Sequence, residues 1–337
     1  MKFFVDGWDP SYGSALDNDQ ADVLVDSTAR VQPEVETAAE RWAPVGPSPV
    51  KEPEAVLFID GVRRIDARAW IETSPAIDED TGELLAAGSQ ASMGLCASFA
   101  AGVVCCCASG AHVVTAALRR GLFTTVAEAA DIATPMGTYI ASHTVEDPEA
   151  SIAFTLAEAL QRRLTELEVA TAANARDGLA AHGVAGENDL LVIDGPLRGR
   201  QHLPRTVGFI KSHRTSYLPP RLHAMVSRLG AGERTPVFLM GTTWDRHSWY
   251  LRLPCQRGAP WTGVVRVECS ADMEPEAVVA LANVTQVVLP RYASVEYKDA
   301  RAPQNLVPVS TLESHLRHQL GQPALLARGL RMAAHAG

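Results

Sequence analysis

Short apolar runs closed by turn chemistry punctuate this chain, and one long stretch repeats at helical spacing. Residues 55–60 (Ala-Val-Leu-Phe-Ile-Asp) and 189–194 (Asp-Leu-Leu-Val-Ile-Asp) each end in Asp-Gly and read as buried strands. Residues 64–72 alternate polar and apolar side chains, which predicts a half-buried second strand, and 92–107 supply a long third one. Three consecutive antiparallel strands fit this pattern. A helix over 126–132 and a short strand near 138–142 follow as insertions. The clearest helix covers 148–174, where Ile152, Leu156, Leu160, Leu164, Leu167 and Thr171 recur every three to four residues. Pro148 and the acids around it suit the positive end of that helix. Then come a strand over 205–211, a helix opening at Pro219-Pro220, and strands over 235–241 and 263–269 flanking an aromatic loop. Helices over 275–288 and 311–320 complete the list. The order is that of a mixed α/β protein, without internal repeats. The proline-rich stretch at 43–49 marks off an N-terminal extension, 1–50, from a main domain, 51–325, and a tail, 326–337.

A chain of 337 residues, 47% hydrophobic and 20% charged, can bury a large core. Its longest apolar runs, such as 100–108, fall far short of the roughly 20 residues a membrane helix needs. Asp6 interrupts the first apolar residues, so there is no signal-peptide core, and a cytoplasmic protein is expected. Six cysteines stand at 96, 105, 106, 107, 255 and 269 without Cys-x-x-Cys or Cys/His zinc spacing. They are read as small buried apolar residues of a reducing compartment.

Net charge is −9, which argues against indiscriminate nucleic-acid binding, but the charges are unevenly spread. Residues 1–90 hold 18 of the 39 acids and 7 of the 30 bases, whereas 195–232 contain no Asp or Glu. That window carries Arg198, Arg200, Arg205, Lys211, Arg214, Arg221 and Arg228, a candidate track for a phosphate backbone. A solvated surface neutralised by the acidic N-terminal third is the plainer alternative.

The candidate chemistry begins at the two strand ends. Asp60 and Asp194 each cap an apolar run and are trailed by bases, Arg63 and Arg64 after the first, Arg198 and Arg200 after the second. Asp-Gly is also a plain turn signal, so the pairing of two such ends is what draws attention. Two-metal phosphodiester cleavage needs carboxylates from separate elements converging on cations about 3.5–4 Å apart. The helix between the strands offers Glu158, Glu166 and Glu168 as a third carboxylate. At about 100° per residue Glu168 borders the buried stripe while Glu166 faces solvent, so Glu168 is the better ligand. Lys211 ends an apolar strand and is placed to contact a phosphate or steady developing charge. The aromatic and basic residues 242–252 fit either base stacking or a packed hairpin with Trp249 and Leu251 in the core. Neither a phosphate-binding P-loop, a Gly-x-Gly-x-x-Gly sequence nor a Gly-x-Ser-x-Gly elbow is present.

Taken together, the first Asp-Gly strand, the glutamate helix, Leu-Leu-Val-Ile-Asp-Gly at 190–195, Val-Gly-Phe-Ile-Lys-Ser at 207–212 and a late Arg-x-Pro segment resemble the NurA nuclease domain over roughly 55–320. The resemblance implies an RNase H-like mixed sheet flanked by helices and a manganese- or magnesium-dependent DNA nuclease, with two ions. It also implies a homodimer working in DNA repair and end resection with a HerA-like hexameric translocase, near the nucleoid. It makes Asp60, Glu168 and Asp194 the metal ligands and Lys211 their basic neighbour. Arg63, Arg64, Arg198, Arg200, Arg205, Lys211 and Arg214 would follow DNA. The chain departs from the family where Val62 and Pro196 follow the Asp-Gly pairs. It departs again where 301–306 lead to Val309 and Ser310 in place of a family histidine. Asn305, Asp299 and His315 are the candidates for that fourth ligand. The rival expectation is a catalytically weak adaptor of the same fold that caps a translocase.

Overall fold

The structure, a computed structural model, describes residues 29–73, 90–146, 148–181, 188–213, 215–255 and 259–336. The first 28 residues of the expected extension and Arg214 lie outside the described residues. In chain order come β1 (Arg30–Gln32), β2 (Ala55–Thr73), β3 (Gln90–Cys107), β4 (Gly110–Thr124), β5 (Ile132–Thr134) and β6 (Gly137–His143). The helix α1 (Ile152–Ala181) leads to β7 (Asp189–Asp194), β8 (Thr206–Ile210), α2 (Pro220–Val226), β9 (Phe238–Gly241), β10 (Asp245–Arg252) and β11 (Val264–Ser270). The described chain closes with α3 (Pro275–Val288), α4 (Val307–Gln319) and α5 (Pro323–Ala336).

Hydrogen-bonded strands follow the order β1-β9-β10-β11-β8-β7-β2-β3-β4-β6-β5. Sequential strands β2, β3 and β4 are neighbours; after the α1 crossover, β7 and β8 continue from the other side of β2, both pairs parallel. Parallel neighbours require such a crossover, and the result is a large mixed sheet flanked by helices, the mixed α/β architecture expected from the order of elements.

Two compact units share the long strands. One contains residues up to Ile59, Val104–His112 and Arg176–Thr311; the other contains Asp60–Val103, Val113–Ala175 and residues from Leu312 onward. In the first, Val56, Phe58, Leu190, Val192, Val207, Phe209, Trp249, Val265 and Val267 pack against Val278, Ala282 and Val288 of α3. In the second, Leu95, Ala97, Phe99 and Phe123 receive Leu156, Leu160 and Leu164 of α1. The predicted apolar stripe of α1 is thus its buried face.

Several elements differ from expectation. The strands expected at 55–60 and 64–72 are one continuous strand, β2, because buried Val62 carries the pattern through Gly61 without a turn. No helix forms at 126–132: Val126 O accepts from Ala129 N and lies 2.9 Å from His143 Nδ1, so a single turn closes and stops. Helix α1 begins at Ile152, where Ser151 Oγ and O accept the Phe154 amide and Ser151 O the Thr155 amide. A serine cap outweighs Pro148 and its acids. The aromatic loop is the strand β10, antiparallel to both β9 and β11, with Trp249 buried and its Nε1 donating to Thr285 Oγ1 at 3.1 Å. The expected tail carries α5: Gly321, at φ +81°, ends α4, Pro323 opens the next helix, and Leu326 and Leu330 are buried.

Candidate metal and nucleic-acid site

The end of β7 is built tightly. Gly195 leaves the strand at φ +112°, a conformation glycine adopts without strain, and its N–H donates to Phe209 O at 2.9 Å. A Cβ on Gly208 would come within 2.8 Å of Gly195 O, so β8 must carry glycine where the loop crosses. The Leu197 amide donates to Glu268 Oε1 at 2.7 Å. Glu268 is fully buried, and Arg246 (3.1 Å) and Arg266 (3.4 Å) hold its other oxygen. A buried carboxylate is sustained by such pairing. Sequence reasoning passed over Glu268, although one acid inside Val-Val-Arg-Val-Glu-Cys was a visible signal.

This frame presents Asp194 to Lys211. Lys211 Nζ donates to Asp194 Oδ2 at 2.6 Å and to Asn305 Oδ1 at 3.0 Å. Asn305 Nδ2 in turn donates to Asp299 Oδ2 at 2.7 Å. Burial alone would raise the Asp299 carboxyl, but hydrogen bonds from Arg301 N, Asn305 and Ser310, with the Arg301 charge, outweigh it and hold it below the usual range. Among the described residues, Asp194 Oδ1 is buried with no hydrogen-bond partner. Leaving a buried carboxylate oxygen unsatisfied costs on the order of 1–3 kcal/mol or more, so this atom suits a cation. Of the fourth-ligand candidates, Asn305 and Asp299 join this chain of contacts. His315 is exposed on α4, 2.9 Å from Gln319 Nε2.

The second unit holds Asp60 and Glu168. Asp60 Oδ1 accepts the Gly61 amide at 2.8 Å, so part of its acceptor capacity serves its own backbone. Glu168 is buried, as its place beside the apolar stripe predicted, while Glu166 is exposed and pairs with Arg163 at 2.8 Å. A Cβ on Gly61 would lie 2.5 Å from Glu168 Oε1 and 2.8 Å from Leu164 Cδ1. The glutamate carboxylate therefore rests over the bare backbone that follows Asp60. In β2 and β7 the paired register runs from Ala55 opposite Asp189 to Ile59 opposite Ile193, and an aspartate follows each last partner.

The basic residues divide by employment. Arg64 donates to Gly321 O (2.8 Å) and Leu320 O (3.3 Å) at the C-terminal end of α4 and pairs with Asp66 at 3.0 Å. Arg205 and Arg176 grip Asp189, at 2.8 and 2.9 Å, and Asp189 is almost wholly buried. Arg200 is buried and donates to Pro196 O at 3.0 Å. Exposed Arg63 donates to Ala157 O at 3.4 Å, and Arg198 is also exposed. Tyr250 and Trp249 are buried, so no stacking platform forms from them.

Strand order and flanking helices define a mixed α/β protein with a large mixed sheet. The fold is similar to the crystal structure of the NurA nuclease from Sulfolobus solfataricus, with a TM-score of 0.40, 11% identity, and coverage of 83% of this chain and 85% of that one. No protein-family description and no curated protein matches the chain. At that level of likeness the chemistry rests on the side chains themselves.

Proposed function

We propose that this protein is a divalent-metal-dependent deoxyribonuclease, with Asp60, Glu168 and Asp194 as cation ligands and Lys211 beside them. The observation that carries the reading is Asp194: one oxygen fixed by Lys211, the other buried and without a hydrogen-bond partner among the described residues. The motif order around Asp60, Glu168, Asp194 and Lys211 supports it, and an aspartate follows Ile59 and Ile193, the last paired residues of β2 and β7. Manganese or magnesium, when bound, would activate water and stabilise the leaving oxygen. The chain's own residues do the rest. The clamp from Glu268 and Gly208 holds the loop after Asp194, and Lys211 orients its carboxylate while offering charge to a phosphate. Arg198 and Arg63 are the exposed bases for the DNA backbone. A homodimer working with a HerA-like hexameric translocase at the nucleoid completes the proposal.

Asp194→Asn keeps the size of the side chain but removes its charge. It is expected to abolish manganese-dependent degradation of end-labelled DNA while leaving the thermal transition within a few degrees of the parent. A folded variant that still degrades DNA overturns the assignment. A parent chain that binds DNA ends but never cuts them, with manganese as with chelator, supports instead an adaptor that caps a translocase.

A further inference from the structure

A second constellation lies at the tip of the β3–β4 hairpin. Ala108 and Ser109 form a two-residue turn, which sets His112 opposite Cys105. Cys105 and Cys107, two apart on one strand, share a face, and Cys106 points to the other side, against Tyr292 and the core. The Cys105 and Cys107 sulfurs and a His112 ring nitrogen all lie within 4.8 Å of one another. That set draws on none of the carboxylates considered above. Cys105 is buried, Cys107 half-buried and His112 exposed, so the cluster opens to solvent on one side.

We propose that Cys105, Cys107 and His112 form a binding site for a thiophilic cation, Zn2+ or Cu+, with its fourth position open to solvent. Two thiolates and an imidazole are the donor set such ions prefer, whereas manganese and magnesium prefer oxygen. With bonds of about 2.3 Å to sulfur, ligand atoms on a tetrahedral ion stand about 3.8 Å apart. Closing from 4.8 Å is within the reach of side-chain rotation. The Ser109 hydroxyl, 3.0 Å from Cys107 Sγ, holds that thiol below its ordinary range. Burial, with Cys107 beside it, pushes the Cys105 thiol up to about 12. Cys-x-x-Cys spacing is absent from the chain. A hairpin makes Cys-x-Cys with a histidine across the turn equally able to converge.

The test is an anaerobic titration of the full chain with Co2+ followed by Zn2+. One equivalent of Co2+ should produce a thiolate-to-cobalt absorption band that Zn2+ bleaches. Cys107→Ser and His112→Ala, both at the open side of the site, should each weaken apparent Co2+ affinity at least about tenfold. Asp194→Asn should leave the band unchanged, which separates this site from the nuclease reading. Absence of a thiolate band, or a band indifferent to both hairpin substitutions, overturns the proposal.

Discussion

At the scale of single residues, the two Asp-Gly pairs look alike in sequence and use glycine for different reasons. Gly195 needs a positive φ, with open space where its Cβ would be. Gly61 sits within a regular strand and is small because Glu168 and Leu164 occupy the volume a side chain would take. Gly61→Ala is therefore expected to cost about 1–3 kcal/mol through overpacking, read as a lower urea midpoint. Were Gly61 merely flexible, alanine in a strand would raise that midpoint slightly, so the sign decides. Glu168 was legible as the glutamate beside the stripe, since a 3.6-residue period converts directly into a face. That its carboxylate lies over Gly61 was not legible, because that contact joins residues 107 positions apart.

At the scale of elements, apolar runs announced strands, but their ends were misjudged wherever a local signal competed with packing. Asp-Gly at 60–61 suggested a stop that buried Val62 overrides. The 242–252 segment read as a loop because its bases and aromatics alternate without a clean period, yet pairing on both sides makes β10 a central strand. The basic tract shows the same limit. Arg205 immediately precedes β8, where it and Arg176 satisfy buried Asp189 at the start of β7. Asp189→Ala should cost about 3–5 kcal/mol in chemical denaturation, because it strands two arginines against a buried site. Arg198→Ala should leave the midpoint unmoved and instead weaken DNA binding, lowering the salt slope by about one. If Arg198→Ala proves destabilising and silent in binding, this division of labour is wrong.

At the scale of the whole molecule, no helix among the described residues is long and apolar enough to cross a membrane. Stability should depend on pH through His213, whose imidazole is buried between Tyr250 and Trp261. Burial pushes it down to about 4, only partly opposed by its bond to Val264 O. Between its ordinary value near 6.5 and about 4, the unfolded chain binds a proton that the folded chain refuses. Stability is therefore full above pH 6.5 and falls with acidification, by up to about 3 kcal/mol near pH 4. Urea midpoints taken from pH 7 to 4 should show that slope, and His213→Gln should flatten it. An equal slope in the variant would remove His213 as the cause. The amino-acid order alone determined the alternation of apolar runs, the buried face of α1 and the motif sequence, because periodicity and turn chemistry act between near neighbours. Only the tertiary structure decided which arginines are spent on carboxylates and that Glu268 underpins the Asp194 loop. It alone brought two cysteines and a histidine together at a hairpin tip. The first two depend on distant segments meeting, a property of the packed core rather than of any stretch of chain. The cysteines and the histidine are near in sequence and meet only because the chain turns back as a hairpin.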